Sequence, residues 1–246
     1  MINLKSKTDI EGIRTAGQIV RNVLNELSEI TKPGIKTIEY DLTAEKIALS
    51  LNATPAFKDY GGFPYSVCVS VNEEVVHGFP SQRRLKEGDI VSLDFGIYYN
   101  GYYADAAITV PVGDVGGPAL KLINVTEEAL NIGISKALIG NTINDISAAI
   151  EHFVIQNKYS VVRDFVGHGV GFKLHEDPQV PNYYIETNDV LIKEGLVIAI
   201  EPMVNEFSYK VKIKQNKWTV LTKDKSLSAH FEHTVAVTKE GPQILT

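Results

Sequence analysis

The first part of the chain carries apolar residues at helical spacing, three or four positions apart, up to Pro33-Gly34. Thr8 to Glu11 have the form of a capping box, in which a side chain at the start of a helix bonds the backbone three residues later. Proline followed by glycine ends a helix. The pattern predicts a first helix over residues 8–30 and a second helix after Thr37.

Residues 89–110 form two runs rich in β-branched and aromatic residues around Asn100-Gly101. This dipeptide supplies the two positive φ angles of a two-residue hairpin turn. If these residues are the loop, Tyr99 faces Tyr102, and the register of the whole hairpin follows from that pair.

Counting back along this hairpin places Asp94 opposite Ala107, so that Asp105 lies on the same face as Asp94 and diagonal to it. Diagonal Cβ atoms are about 7–8 Å apart, a span that two carboxylates can close around two cations about 3.5–4 Å apart. Most acidic residues of a chain are solvated surface groups. Burying two carboxylates without a counter-charge costs several kcal/mol per ion, so we expect a metal ion or a basic partner here.

After the hairpin, the order of helices followed by strands repeats. One helix is predicted to start at Pro118, and another to run from Thr142 to about Asn157. Strands are predicted at Ser66–Val71, Glu74–Val76, Val161–Val166, Leu196–Pro202, Trp218–Thr222 and His230–Val237. This order favours an α+β fold, a curved antiparallel sheet backed by helices, with two similar halves in a single domain over residues 1–246.

Composition narrows the class of protein. A hydrophobic content of 44% and a charged content of 22% are typical of globular proteins, and no apolar run approaches the ~20 residues of a membrane helix. Cys68 is the only cysteine, and no signal peptide is seen, so we expect a cytoplasmic protein without disulfides. The net charge of −6 argues against nucleic-acid binding as the main function. A monomer is expected.

Other candidate site residues lie further along the chain. His168 lies among glycines, which allow the backbone to turn tightly and bring an imidazole close to a ligand, and His175 follows it. A lone histidine is more often structural, but two in one segment favour function. Glu201 ends an apolar strand, and Glu232 lies in another; period-two geometry sends His233 to the opposite face, which excludes it from the site.

These acidic residues and one histidine form a candidate set of metal ligands: Asp94, Asp105, His168, Glu201 and Glu232. Four carboxylates and one neutral imidazole carry a nominal charge of −4, which two divalent ions balance. This oxygen-rich set favours Mn²⁺, Fe²⁺ or Co²⁺, is compatible with Zn²⁺, and excludes a thiolate-rich structural zinc site. Two such ions lower the pKa of a bridging water and polarise a carbonyl, so hydrolysis is the predicted chemistry.

The chain also carries a collinear set of short motifs: EEVVHG at 73–78, LDFG at 93–96, YADAA at 103–107, GHGVG at 167–171, LHEDPQVPN at 174–182, IEPM at 200–203 and EHT at 232–234. Over essentially its whole length it resembles the type I methionine aminopeptidases, in their compact bacterial form. The resemblance implies a pita-bread fold and a dinuclear metal site formed by the five residues above. It also implies removal of the initiator methionine from nascent polypeptides whose second residue is small.

The resemblance assigns roles to individual residues. Asp105 and Glu232 would bridge the two metal ions, and Glu201 would also act as a proton shuttle. His77 and His175 would contact the substrate near the scissile peptide. The sequence leaves the physiological metal and the preferred substrates open.

A methionine pocket is implied at Tyr60, Phe63, Cys68 and Trp218, since sulfur and aromatic edges suit a thioether side chain. Phe63 stands where some family members have tyrosine, and Leu174 where some have phenylalanine. The alternative is that these residues belong to the hydrophobic core, an interpretation that fits Cys68 and Leu174 in particular.

Two other functions are compatible with this fold. A proline peptidase of the same fold would carry a further amino-terminal domain, whereas the first predicted helix begins within ten residues of the start. A binding protein that had lost its metals would lack ligand residues, and this chain has all five.

Residues Lys210–Lys225 hold six of the twenty-four Lys and Arg residues in an otherwise acidic chain. Lysines on an exposed hairpin protect an edge strand from aggregation. Alternatively, this basic segment contacts ribosomal RNA, since phosphate contacts give fast and salt-sensitive association.

Overall fold

The computed structural model describes residues 2–187 and 190–246. Within these ranges the helices are α1 Lys7–Glu29, α2 Thr37–Ser50, α3 Gly117–Ser135 and α4 Ile143–Gln156, with a 3-10 turn at Tyr60–Gly62. The strands are β1 Thr54–Pro55, β2 Cys68–Val71, β3 Ile90–Tyr99, β4 Tyr102–Pro111, β5 Ser160–Val161, β6 Gly167–Gly169, β7 Glu176–Val180, β8 Val197–Ile200, β9 Met203–Asn205, β10 Val211–Ile213, β11 Val220–Thr222, β12 Ser228–His230, β13 Glu232–Thr238 and β14 Gly241–Ile244. No helix of the described residues is both long and apolar enough to cross a bilayer.

Strands from both halves of the chain join in one nine-stranded antiparallel sheet. Its order is β1-β3-β4-β13-β8-β6-β7, with β2 also paired to β3 and β14 to β13. Strands β5, β9 and β12 form a small second sheet, and β10 and β11 form a separate hairpin. The predicted α+β architecture is therefore confirmed.

The hairpin register is the one counted from the sequence. Asp94 pairs with Ala107, and Tyr99 pairs with Tyr102. The two turn residues have φ angles of 48° and 91°, as the Asn-Gly pair predicts. Asp94 and Asp105 therefore lie on one face of the sheet, as expected.

Helices cover the opposite face of the sheet. On β3, the alternate residues Leu93, Phe95 and Ile97 are buried in one hydrophobic cluster with the apolar face of α1, whereas Asp94 projects away from that helix. On β8, Ile198 and Ile200 are buried together with α3 and α4. The sheet thus has one face packed against helices and one face that carries acidic side chains.

Helix α1 begins earlier than predicted, because its cap is Ser6. The Ser6 hydroxyl accepts from the Asp9 N–H at 3.2 Å, and the Asp9 carboxylate accepts from the Ser6 N–H at 2.8 Å. The predicted capping box at Thr8 to Glu11 is therefore wrong by two residues. Asp9 lies three positions after the cap, where a capping box usually has glutamate. Its carboxylate accepts from the Ser6 N–H, which has no partner within the helix, as a glutamate would.

Three predicted strands differ from those observed. The predicted strand at Glu74–Val76 is wrong: the Glu74 carboxylate accepts from the Val71 N–H at 3.0 Å and closes a turn instead. The strand predicted over Val161–Val166 is reduced to Ser160–Val161. The run His230–Val237 divides at Phe231 into β12 and β13, which belong to different sheets.

Candidate active site

A cavity of about 690 Å³ opens on the sheet face that carries the acidic residues. All the residues predicted for the site line this one cavity: Tyr60, Phe63, Cys68, His77, Asp94, Asp105, His168, His175, Glu201, Trp218 and Glu232. Leu174 lines it as well. Residues that are far apart in sequence are thus brought together.

Five neighbouring strands each supply one of the candidate metal ligands. In sheet order, Asp94 lies in β3, Asp105 in β4 and Glu232 in β13, while Glu201 directly follows β8 and His168 lies in β6. The register therefore sets the relative height of each ligand along its strand, and the sheet curvature turns them towards a common centre.

The tightest cluster among the described residues is Asp105, His168 and Glu232, whose candidate ligand atoms lie within 4.8 Å of one another. His168 Nε2 is 3.5 Å from Asp105 Oδ2 and 3.6 Å from Glu201 Oε1. Donors at these separations can converge on a divalent ion at its usual bond lengths of about 2.0–2.2 Å.

Burial dominates the electrostatics of this cluster. It raises the pKa of Asp94, Glu201 and Glu232 well above the ordinary values, and the neighbouring carboxylates raise each pKa further. Burial also raises the pKa of Asp105 to about 6. Asp94 Oδ1 is buried and has no hydrogen-bond partner among residues 2–187 and 190–246. Packed carboxyl groups and an orphaned oxygen fit a site for divalent cations, whose positive charge would favour the ionised carboxylates.

Thr234 fixes the orientation of Asp105. Its hydroxyl donates to Asp105, with the backbone oxygen at 2.9 Å and carboxylate Oδ1 at 3.0 Å, while the Asp105 N–H lies 3.1 Å from the same hydroxyl. Thr234 lies on the same face of β13 as Glu232. The intervening His233 points to the opposite face, where its ring bonds Thr246 Oγ1 at 2.9 Å.

The glycines around His168 serve close packing rather than a tight turn. A Cβ atom on Gly167 would overlap the backbone carbonyl oxygen of Ala199 in β8, and one on Gly169 would overlap that of Asp177 in β7. Both glycines lie within the short strand β6. The prediction that glycine brings the imidazole to the site is correct in outcome, but the reason is strand spacing.

His77 and His175 lie at the cavity wall beside the acidic cluster. The His175 ring is 4.3 Å from the His168 ring, and its Nδ1 bonds the Tyr60 hydroxyl at 2.8 Å. His77 has a φ of 56°, a left-handed conformation that is rare outside glycine and that clusters at functional sites. Burial lowers the pKa of both imidazoles to about 4, so both are neutral at pH 7.

An apolar recess adjoins the cluster. Phe63 packs edge-on against Trp218, with ring centroids 5.3 Å apart, and Cys68 pairs with Asp94 across β2 and β3. Phe63 and Cys68 are buried, whereas Tyr60 is about half exposed at the rim. The base of the recess is thus buried and apolar, and the Tyr60 hydroxyl lies at its rim.

Sequence reasoning missed two side chains beside the site. Lys5 forms an ion pair of 2.6 Å with Glu176, and both side chains are almost completely buried. His230 is buried with its Nε2 atom 3.7 Å from Glu201 Oε2. His230 lies two residues before Glu232, so its position in the same segment was the available signal; nothing in the sequence pairs Lys5 with Glu176.

Comparison with known proteins places the chain in a family. Residues 11–239 match the family described as metallopeptidase family M24. A methionine aminopeptidase of Clostridium acetobutylicum is 51% identical over 247 residues, covering 100% of this chain and 99% of that protein. The chain belongs to the methionine aminopeptidases of family M24. A solved methionine aminopeptidase of Thermotoga maritima matches it with a TM-score of 0.98 at 44% identity, over 100% of this chain and 99% of the other.

The fold is the pita-bread fold, which the family shares with proline peptidases. A prolidase of Pyrococcus horikoshii matches with a TM-score of 0.80 at 24% identity, over 99% of this chain and 63% of the prolidase. That likeness concerns the fold alone, and the prolidase is the longer protein. Sequence identity near one half across full length therefore favours the methionine aminopeptidases over this rival.

Proposed function

We propose that the protein removes the N-terminal methionine from polypeptides whose second residue is small, by metal-dependent hydrolysis. The observation that carries this proposal is the convergence of five oxygen- and nitrogen-donor residues on one cavity that also has an apolar recess. The full-length relative with 51% identity, a methionine aminopeptidase, supports the same activity.

In this proposal Asp94, Asp105, His168, Glu201 and Glu232 would hold two divalent ions. One imidazole among four carboxylates suits Mn²⁺, Fe²⁺ or Co²⁺, and Zn²⁺ is compatible. When bound, such ions lower the pKa of a water molecule and polarise the carbonyl that it attacks.

The chain's own residues would move the proton and hold the peptide. Glu201, beside His168 in the cluster, would accept a proton and deliver it to the departing amine. His77 and His175, neutral at pH 7, would each offer one N–H to the peptide near the bond that is cut. The Tyr60 hydroxyl, bonded to His175 Nδ1, fixes which way that ring faces.

The apolar recess would select methionine. Cys68 and the Phe63–Trp218 pair present a polarizable sulfur and aromatic edges to a thioether side chain. Packing of this kind separates methionine from a slimmer side chain by about 1–3 kcal/mol, so N-terminal norleucine should remain a substrate. Selection of a small second residue would arise because that residue passes close to the metals.

The direct test compares hydrolysis of Met-Ala-Ser with hydrolysis of Gly-Pro peptides, with and without added Mn²⁺ or Co²⁺. We expect metal-dependent release of methionine and no cleavage of Gly-Pro. Efficient cleavage of Gly-Pro would indicate a proline peptidase. Failure to cleave either peptide with Mn²⁺ or with Co²⁺ would indicate a binding protein.

Glu201→Gln tests the proton shuttle. This variant removes a ligand charge and the proton acceptor together, so the peptidase rate should fall by several orders of magnitude in a folded protein. Glu194→Gln, at an exposed position away from the cavity, is the matched control. Circular dichroism checks folding, and retention of more than about a tenth of the rate would remove Glu201 from the mechanism.

We also propose that the basic hairpin over Lys210–Lys225 contacts the ribosome, and that the enzyme therefore works on nascent chains in the cytoplasm. The six lysines of this segment are exposed, and three of them, Lys210, Lys212 and Lys214, lie on β10 or next to it. Exposed lysines that protect an edge strand give the simpler explanation. A basic surface facing ribosomal RNA would add salt-sensitive, sequence-independent association.

Glutamine at Lys210, Lys212, Lys214 and Lys217 separates these explanations. If the hairpin contacts the ribosome, this variant should co-sediment with ribosomes more weakly than the wild type does and should hydrolyse free peptides at an unchanged rate. The control replaces four exposed lysines elsewhere, Lys32, Lys46, Lys136 and Lys193, with glutamine. Equal co-sedimentation of the two variants and the wild type, at low and moderate salt, would leave the hairpin as a protected edge.

A further inference from the structure

His230 is a buried histidine that the proposed reaction does not use. It ends β12, its residue is 1% exposed, and its Nε2 atom has no hydrogen-bond partner among the described residues. Buried polar atoms in folded proteins are nearly always paired, because an unpaired one loses its hydration without compensation. An orphaned imidazole nitrogen next to a candidate active site therefore requires an explanation.

The main chain of His230 is firmly held. Thr109 Oγ1 accepts from the His230 N–H at 2.9 Å and donates to the His230 carbonyl oxygen at 2.8 Å. The same hydroxyl lies 2.9 Å from Ser92 Oγ, which ties it to β3. These contacts anchor the His230 backbone to the strands that carry Asp94 and Asp105.

The unpaired nitrogen faces the carboxylate of Glu201. His230 Nε2 lies 3.7 Å from Glu201 Oε2, while His168 Nε2 lies 3.6 Å from the other oxygen, Oε1. Within the described part of the chain, these are the two basic side chains within 4 Å of this carboxylate. One oxygen of Glu201 thus faces the candidate metal cluster, and the other faces His230.

We propose that His230 donates its Nε2–H to Glu201 Oε2 and thereby holds Oε1 towards the metal site. This inference rests on the proposed role of Glu201 as a ligand and proton shuttle. A shift of about 0.5 Å closes the gap to an ordinary hydrogen bond. His230 is a positioning residue: the compact donor cluster of the described residues comprises Asp105, His168 and Glu232 and does not include it.

A hydrogen bond to a ligating carboxylate fixes its orientation and raises metal affinity, and loss of such a partner typically costs about 10–100-fold in affinity or activity. The same bond would leave Glu201 Oε1 free for the metal and for the proton that the reaction moves.

The test replaces His230 by glutamine and by leucine. Glutamine presents an amide N–H at a similar reach, whereas leucine fills part of the space without a donor. Calorimetric affinity for Mn²⁺ should fall about 10–100-fold in His230→Leu and stay within about threefold of wild type in His230→Gln. With saturating Mn²⁺, kcat for Met-Ala-Ser should fall in His230→Leu while KM stays near wild type.

Melting temperatures of the metal-free proteins control for packing defects, and His230→Met serves as a second variant without a donor if His230→Leu does not fold. The double variant Glu201→Gln with His230→Leu tests whether His230 acts through Glu201. If it does, the double variant should bind Mn²⁺ no more weakly than Glu201→Gln alone.

Wild-type Mn²⁺ affinity in the variants without a donor would overturn the inference, as would equal loss in His230→Gln and His230→Leu. If Glu201→Gln alone leaves Mn²⁺ affinity unchanged, the proposed ligand role of Glu201 fails instead. The two failures are therefore distinguishable in one set of titrations.

Discussion

Substitution of Lys5 by methionine should both destabilise the protein and impair the substrate site. Lys5 Nζ lies 2.6 Å from Glu176 Oε2, and both side chains are at most 2% exposed. Glu176 Oε1 accepts from the N–H groups of Phe172 and Lys173 at 2.7 and 2.9 Å. Glu176 directly follows His175, so this carboxylate fixes the loop that carries a candidate substrate contact.

The magnitude follows from the burial of the pair. Removing one partner of a buried ion pair typically costs about 3–5 kcal/mol, because a charge stays buried without compensation. Glu176 would keep its two backbone donors in Lys5→Met, which places the expected cost near the lower end, about 3 kcal/mol. For a chain of this size that is a drop of about 6–12 °C in melting temperature.

The surface pair Lys58–Glu45 is the matched control. Its N···O distance is also 2.6 Å, but its side chains are 41% and 29% exposed. Exposed pairs contribute about 0–1 kcal/mol, so Lys58→Met should have a small effect. Denaturant unfolding of both variants, and of Lys5→Met combined with Glu176→Gln, measures the coupling between the two residues.

The effect of Lys5→Met should also depend on pH. Burial alone would raise the pKa of Glu176, but the bonds from Lys5 and the loop backbone outweigh it and leave the pKa below its ordinary value. A carboxylate of lowered pKa contributes stability that is complete above the unfolded pKa of about 4.3 and is lost as the pH falls through the folded pKa. The difference between wild type and Lys5→Met should therefore shrink below about pH 4.

Activity gives a second measurement on the same variant. KM for Met-Ala-Ser should rise because the His175 loop loosens, while Mn²⁺ affinity should stay unchanged because neither Lys5 nor Glu176 belongs to the donor set. The reasoning fails if Lys5→Met costs less than about 1 kcal/mol, the amount expected of an exposed pair. It also fails if the variant is destabilised and KM does not change.

Chelation by EDTA should lower the melting temperature, and an unchanged melting temperature would argue against a metal site. Mn²⁺ at 100 times its Kd should then raise the free energy of unfolding by about 2.7 kcal/mol. His168→Ala should weaken Mn²⁺ binding in calorimetry, while alanine at His77 or His175 should depress turnover and retain Mn²⁺ affinity; equal metal loss in all three would refute this division of roles. Gly169→Ala should destabilise the protein because a Cβ there overlaps a carbonyl oxygen of β7, whereas Gly117→Ala meets open space in α3; equal unfolding midpoints would contradict this packing. Met-Leu and Met-Lys peptides should be poor substrates, and their efficient cleavage would contradict the proposed specificity.

The part of the site on β3 and β4 could be predicted from the sequence because hairpin geometry is local. The Asn100-Gly101 turn determines the register, and strand period two then puts Asp94 and Asp105 on one face. The start of α1 was predicted wrongly because its position is not fixed by local geometry alone. Several neighbouring polar residues can cap a helix, and tertiary packing selects among them.

Lys5 and Glu176 could not be paired from the sequence, since 171 positions separate them and no local pattern links the two. No local pattern links His230 to Glu201 either, since His230 ends β12 of the small sheet and Glu201 directly follows β8 of the large sheet. The candidate ligands and substrate contacts that were found have characteristic neighbours in sequence. The partners of the residues that were missed are determined only by the folded sheet.

The placement of the candidate ligands on five adjacent strands has a consequence for how the site tolerates change. Because each strand contributes one donor, the distance between donors depends on strand spacing and register rather than on the conformation of one loop. A substitution that widens the sheet beside His168, such as alanine at Gly167 or Gly169, should therefore displace a ligand without touching it. Surface loops tolerate insertions more readily than strands do. Insertions in the loops on the helical side of the sheet leave the strand spacings intact, so they should not disturb the site.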